Sequence, residues 1–249
     1  MRWCLLLLLL GVGAGPALAT DEGNPATVLA LARLDSVAIA ASGRVTGVAW
    51  LATDTLAVLV VADGAAGGAG SARLVLQDRR GRVLRSENVT GVLDRGLAWD
   101  GRSLWSIGDA GGGARLFRLE PALMSVAASY PTPGHRPGGV CHDGRFVWLV
   151  DRDSGRLERF DPSVLEITRS TAAPAFSPVG LAWDGRHLWL ADAGTGRLYR
   201  LSGSRRAWSG TVAAEHFHFR GRAVHLTHDG QDLWFVPEDG RWLVRARIS

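Results

Sequence analysis

Short apolar segments alternate with turn-forming pairs along most of the chain. In the clearest unit, apolar runs at residues 180–183 and 188–192 flank Asp184-Gly185, and a run that alternates apolar and polar residues follows at 197–201. Short apolar runs bounded by Gly, Asp and Ser are typical of β-strands, and Asp-Gly favours a hairpin turn. The pattern predicts an antiparallel sheet, with a fourth and less regular strand near residues 208–213.

The strand–turn–strand pattern recurs along the chain. The Asp of the Asp-Gly pair falls at Asp100, Asp143, Asp184 and Asp229, at intervals of 43, 41 and 45 residues. A degenerate copy starts at residue 47 and needs one inserted residue to reach Leu56. This spacing is that of a four-stranded propeller blade. We therefore predict an all-β, five-bladed β-propeller; a six-bladed ring would need one further copy and is the less favoured alternative.

The two ends of the chain predict how the ring closes. The last copy stops soon after residues 242–244 and lacks a fourth strand, whereas spare apolar segments at 28–31 and 36–39 precede the first copy. We expect the N-terminal segment to supply the missing outer strand of the last blade.

The first residues predict export. Met1-Arg2 is followed by an apolar run and by Ala17-Leu18-Ala19, which is typical of a signal peptide with cleavage after residue 19. We predict a signal peptide at 1–19, a propeller domain at 20–249 and a secreted or periplasmic location. No later apolar run is long enough to span a membrane. Cys141 is then the one remaining cysteine, which we expect to be buried.

Charge adds little to the assignment of function. The 28 basic residues are all Arg, and the formal net charge is +4. So small a charge gives no reason to expect nucleic-acid or membrane binding. We expect a monomer.

The string Gly-Leu-Ala-Trp-Asp-Gly-Arg-His-Leu-Trp-Leu-Ala-Asp at 180–192 resembles bacterial propellers of the NHL-like, streptogramin-lyase-like and glutamine-cyclotransferase-like group. The resemblance covers nearly all of residues 20–249 and implies the fold. The enzymatic roles do not transfer. Gluconolactonase-like propellers hold a metal with Glu, Asn and Asp around the axis, but the two Asn here, Asn24 and Asn88, lie outside the inner strands. Cyclotransferases use a Glu beside the first inner strand, where residues 45–48 contain none.

Two residue sets recur at fixed positions in the repeat. The first is a set of Trp that we expect to pack between blades, rather than to form a ligand-stacking ring: Trp105, Trp148, Trp189 and Trp234. The second is a set of acids after the second strand, which could surround a cation but which we expect to cap their own turns: Asp63, Asp109, Asp151 and Asp192. We expect the same turn role for the Asp of each Asp-Gly pair.

Arginines recur where the innermost strand of a blade begins. Arg44, Arg136 and Arg222 lie three residues before the inner-strand Gly or before His225, which replaces that Gly in the last copy. Arg95 directly precedes Gly96, and Ser177 breaks the pattern. We predict that these Arg and His225 surround one axial mouth and bind an anion, the alternative being ordinary surface Arg paired with acids such as Asp94.

His216 and His218 share one face of a strand and are weak candidates for metal ligands, since spacing fixes no third ligand. No cofactor is predicted, although a divalent metal stays open. The leading hypothesis is an exported, non-catalytic propeller that binds a partner protein or a small anionic ligand on its axial face. The alternative is a divergent propeller enzyme of the lactonase, lyase or glutaminyl cyclotransferase type.

Overall fold

Five four-stranded antiparallel sheets form a five-bladed β-propeller, as predicted. The structure is a computed structural model that describes residues 36–52, 54–62, 72–89, 95–109, 113–201, 214–218, 222–238 and 240–246. The predicted signal peptide at 1–19 lies outside these ranges. Within them, no helix is long and apolar enough to cross a membrane.

Each of the first four blades is a meander of consecutive strands. Blade 1 contains β2 (Arg44–Ala52), β3 (Thr55–Val61), β4 (Ala72–Asp78) and β5 (Val83–Val89). Blade 2 contains β6 (Arg95–Trp99), β7 (Leu104–Asp109), β8 (Ala114–Glu120) and β9 (Ser125–Pro131). Blade 3 contains β10 (Pro137–His142), β11 (Val147–Asp151), β12 (Arg156–Asp161) and β13 (Glu166–Ala172). Blade 4 contains β14 (Pro178–Trp183), β15 (Leu188–Asp192), β16 (Arg197–Leu201) and β17 (Ala214–His218).

Blade 5 is completed from the N-terminal side of the chain, which confirms the predicted closure. It contains β18 (Ala223–His228), β19 (Leu233–Pro237), β20 (Trp242–Ala246) and, as outermost strand, β1 (Ser36–Ala38). Val37 pairs with Leu243. The side-chain amide of Gln77 bonds both the Ala38 carbonyl (2.9 Å) and the Ala40 N–H (3.0 Å), so blade 1 also holds this segment.

Two expectations about strands need refinement. The inserted residue expected in the first copy is a β-bulge, because the β2–β3 register shifts between Trp50 and Ala52. The outer strand of blade 4 is β17, which pairs along all of β16. The strand expected near 208–213 lies outside the described residues.

The innermost strands β2, β6, β10, β14 and β18 form a ring around the axis. The Gly of these strands is needed because neighbouring backbones approach closely. A Cβ on Gly47 would lie 2.6 Å from the carbonyl carbon of Gly96, and one on Gly139 would lie 2.9 Å from the Cα of Gly180. Only Gly allows this approach without a shift of the backbone.

The recurrent Trp side chains are buried between blades, as predicted, each at most 1% exposed. Trp189, for example, packs against Leu226 and Phe235 of blade 5. Trp105 and Trp148 pack on the following blade in the same way, and Trp234 packs against Val58 of blade 1. Such contacts hold a propeller together, because a blade cannot bury both faces by itself.

The Asp of each Asp-Gly pair caps its turn, and it also bonds the recurrent Trp of the same blade. In blade 4, Asp184 Oδ1 accepts the Arg186 N–H (2.7 Å) and Oδ2 accepts the Trp189 Nε1–H (2.8 Å). The same Asp–Trp bond occurs in blades 2, 3 and 5 at 2.7–2.9 Å. The turn role is therefore confirmed, and it is linked to the Trp set in a way that the repeat did not reveal.

Candidate ligand-binding site at the axial mouth

One mouth of the axial channel lies where the innermost strands begin, and it carries the predicted arginines. Arg44 and Arg95 are the first residues of β2 and β6, and Arg136 and Arg222 directly precede β10 and β18. Arg95 is half-buried, whereas Arg44, Arg136 and Arg222 are exposed at the rim. The turns that follow β11 and β15 lie at the same end, since Pro137 pairs with Asp151 and Pro178 with Asp192.

Arg152 joins these arginines, although the repeat analysis did not identify it. It follows β11 and lies in the turn of blade 3, where its backbone N–H bonds the Arg136 carbonyl at 2.8 Å. Burial lowers the pKa of Arg152, and the positive charges of Arg95 and Arg136 lower it further. The positive charges of Arg95 and Arg136 therefore act unfavourably on the Arg152 guanidinium.

Arg152 also lies beside blade 4, the blade in which the arginine pattern breaks. Its Nη2 lies 3.5 Å from Oγ of Ser177, the residue that stands in blade 4 where other blades carry Arg. The Arg152 side chain thus brings a guanidinium to the place where the pattern leaves a serine. Its Nε is buried and has no hydrogen-bond partner among the described residues. The sequence contained a signal for this arrangement. Blade 4 has no Arg before its innermost strand, and the neighbouring blade 3 carries a second Arg, Arg152, in addition to Arg136.

Two rim arginines form ion pairs, with acids other than those that the alternative named; Asp94 lies outside the described residues. Arg136 Nη1 lies 3.3 Å from Asp153 Oδ1, and Arg222 Nη1 lies 3.7 Å from Glu238 Oε1. All four side chains are at least 50% exposed. Exposed pairs contribute little to stability and are screened by salt. Arg95 and Arg152 are more buried than these two rim arginines.

The acids after the second strand hold loops, as predicted. Asp151 accepts the backbone N–H groups of His135, Arg136 and Ser154 at 2.8–3.0 Å. Asp192 is bound in the same manner by backbone N–H groups of blade 4. Burial acts to raise the pKa of both carboxyls, but these hydrogen bonds outweigh burial and lower it. Asp63 and the Asp109 side chain lie outside the described part of the chain.

His225 lies at the axial position and joins blade 5 to blade 1. Its Nε2 is 3.1 Å from the Val45 carbonyl, and since a carbonyl only accepts, Nε2 carries the proton. Burial lowers the pKa of His225 to about 4, with a contribution from the charges of Arg95 and Arg44. His225 is therefore a neutral ring beside the arginines, with Nδ1 as its remaining polar atom.

The metal candidates do not gain a third ligand from the fold. His216 and His218 lie at alternate positions of β17, where they pair with Tyr199 and Arg197. Their side chains are outside the description, and among the described side chains no group of three or more His, Cys, Asp or Glu is placed to hold a metal.

Cys141 is 5% exposed, and burial raises its pKa well above the ordinary value.

The opposite mouth of the axial channel is lined by a second recurrent set of side chains. A cavity of about 350 Å³ lies where the innermost strands end. One aromatic or imidazole side chain from each blade lines it: Trp50, Trp99, His142, Trp183 and His228. The signal in the sequence was the residue that precedes the Asp of each Asp-Gly pair, together with Trp50 of the degenerate first copy.

Comparison with known proteins identifies the fold but no family. No protein-family model matches the sequence, and no curated protein matches it in sequence. Glutaminyl cyclase from Myxococcus xanthus superposes with a TM-score of 0.64 at 12% identity, over 86% of this chain and 94% of that chain. A structure of the nidogen/laminin complex gives a TM-score of 0.55 at 15% identity, over 78% of this chain and 72% of that chain.

A catalytically inactive virginiamycin B lyase from Staphylococcus aureus, in complex with quinupristin, gives a TM-score of 0.51 at 13% identity, over 84% of this chain and 82% of that chain. These similarities confirm the resemblance to cyclotransferase-like and lyase-like propellers at the level of the fold. They include both enzymes and a binding protein, so the fold by itself assigns no activity.

Proposed function

We propose that this protein is an exported propeller that binds a small, multiply charged anion at the arginine mouth formed by Arg44, Arg95, Arg136, Arg152 and Arg222. The observation that carries the proposal is the guanidinium of Arg152. It is partly withdrawn from solvent, its Nε is without a hydrogen-bond partner among the described residues, and its pKa is lowered by burial and by Arg95 and Arg136.

Like charges held together in a partly buried site carry an electrostatic cost that a bound anion relieves. Guanidinium groups bind carboxylate and phosphate oxygens through directed, charge-assisted hydrogen bonds. The walls of a propeller channel have a low dielectric constant, so they focus the positive field toward the mouth. An anion with two or more charged groups can contact guanidinium groups of several blades at once.

The two buried carboxyl groups at this mouth are poorly suited to act as a general base. Asp151 and Asp192 are occupied by backbone N–H donors, and their pKa values are lowered. A general base needs a pKa near the working pH and access to the substrate proton. The proposal of export is supported by the signal-peptide pattern at 1–19, and it predicts a mature N-terminus at Thr20, which mass spectrometry of the exported protein measures.

Calorimetric titration with citrate and with pyrophosphate tests the proposed site. We expect at least one of these anions to bind, with an affinity that falls as salt is raised. Arg152→Gln should weaken binding by about tenfold or more, the loss expected when a charge-assisted contact is removed. The matched control is Arg102→Gln, which removes the same charge from an exposed turn at the opposite mouth and should bind as the unmodified protein does. The proposal would be overturned if neither anion bound, or if Arg152→Gln and Arg102→Gln lost anion affinity equally.

A further inference from the structure

We propose that the opposite mouth of the channel is a second binding site, which binds a neutral saccharide. Five aromatic or imidazole side chains that encircle this mouth would contact the sugar: Trp50, Trp99, His142, Trp183 and His228. The five residues come from five blades and occupy one register position. Each pairs with the first buried residue of the neighbouring strand, as Trp99 does with Leu104 and Trp183 with Leu188. The site is distinct from the arginine mouth, which lies at the other ends of the same strands.

The cavity has the size and walls of a small-molecule site. Its volume of about 350 Å³ falls within the range of ~300–1,000 Å³ common for ligand pockets. Trp99 and Trp183 are half-buried, so part of each indole is open to solvent in the cavity. Exposed indole faces bind flat, weakly polar surfaces, and the C–H face of a sugar ring is such a surface.

The polar groups at the cavity favour a ligand that carries hydrogen-bond acceptors. The backbone N–H of Gly230 donates to Nδ1 of His228 at 3.1 Å. Nδ1 is therefore the acceptor, and the neutral ring carries its proton on Nε2. Burial lowers the pKa of His228, although Asp184, Asp229 and Asp232 act to raise it, so the ring is neutral at physiological pH. Hydroxyl and amide oxygens of a sugar can accept from this Nε2–H.

Trp50 adds buried apolar surface to the cavity wall. It is 6% exposed and lines the cavity, and its Nε1–H is buried and has no hydrogen-bond partner among the described residues. A buried donor without a partner carries a free-energy cost. The guanidinium carbon of Arg79 lies 4.3 Å from the centre of the Trp50 ring, which fixes the orientation of the indole.

Charge argues against ions as the occupant. Asp184 also lines the cavity, which disfavours an anion. Its two oxygens already accept hydrogen bonds from Arg186, His187 and Trp189. Asp229 is paired with Arg79 at 2.7 Å. Because these carboxylates are occupied, the cavity offers a cation little direct coordination, and a neutral ring is the better match.

Fluorescence and calorimetric titrations with tri-N-acetylchitotriose and cellotriose test this proposal. We expect one of them to bind with at most millimolar Kd and to change the indole emission. Trp183→Ala should weaken binding by about tenfold, and His228→Phe, which keeps an aromatic ring but removes the donor, should also weaken it. If Trp183→Ala does not fold, Trp99→Ala serves instead.

Two controls separate this site from other effects. Trp242→Ala removes a 40% exposed Trp from β20, outside the cavity, and Arg152→Gln alters only the arginine mouth; both should bind the saccharide unchanged. The proposal would be overturned if neither saccharide bound or if tetramethylammonium bound in their place. It would also be overturned if Trp183→Ala and Trp242→Ala lost saccharide affinity equally. None of these outcomes bears on anion binding, which is measured separately.

Discussion

Protonation of His225 should destabilise the ring at mildly acidic pH. The imidazole lies where blade 5 meets blade 1, and its Nε2–H bonds the Val45 carbonyl. Burial lowers its pKa from 6.5 to about 4; the Val45 bond acts in the opposite direction, and the charges of Arg95 and Arg44 lower it further. A proton on this ring must therefore be accommodated in a poorly solvated and positively charged place.

The sign and size follow from the two pKa values. In the unfolded chain His225 takes up its proton near 6.5, whereas in the folded ring it does so only near 4. Between these values the unfolded chain binds more protons, so stability rises with pH. The stability that the neutral His225 ring contributes is complete above pH 6.5 and is lost as the pH falls toward about 4. The difference between the two pKa values corresponds to about 3 kcal/mol.

Urea unfolding of the unmodified protein and of His225→Gln between about pH 7 and about pH 4.5 measures this contribution. Gln can still donate to the Val45 carbonyl but does not titrate, so the stability of the unmodified protein relative to His225→Gln should fall with pH by most of 3 kcal/mol (order of magnitude). Arg95→Gln should lessen the fall only in part, because burial is the largest cause. Parallel curves for the unmodified protein and His225→Gln would refute the reasoning.

Two further predictions concern the contacts that hold the blades together. Trp189→Ala should cost about 3–5 kcal/mol in urea unfolding, because it empties a fully buried contact between blades 4 and 5; unchanged stability would show that the residue does not serve packing. Deletion of residues 20–41 should lower Tm and promote oligomers in size-exclusion chromatography, because it removes β1 and exposes the edge of β20; a monomer with an unchanged Tm would contradict the closure.

The fold could be predicted because each blade repeats the same solution to the same steric and packing requirements. A Gly such as Gly47 is required where inner strands nearly touch, and a Trp such as Trp189 is required to fill the space between blades. Each of these residues recurs in four of the five blades, so they leave a periodic trace in the sequence. The closure by β1 was predictable for a related reason, since an incomplete last copy needs a strand from elsewhere.

The candidate sites were less predictable because they depend on departures from the repeat. Arg152 contacts Ser177, which blade 4 has where other blades have Arg, and no periodic pattern connects a turn of one blade to the strand of the next. The Asp184–Trp189 bond was missed for a different reason. The sequence shows both residues in register, but only the turn geometry brings the carboxylate to the indole N–H.

The different chemistry of the two mouths follows from the direction of the innermost strands. All five run the same way along the axis, so residues that begin them share one mouth and residues that end them share the other. A strand of five or six residues separates the mouths by about 17–20 Å, about twice the ~8 Å screening length at physiological salt. A change at the arginines therefore has a small effect at the indoles, and the Gly and Trp between them keep the ring intact. We accordingly expect ligands at the two mouths to bind independently, each with the same affinity whether or not the other is present.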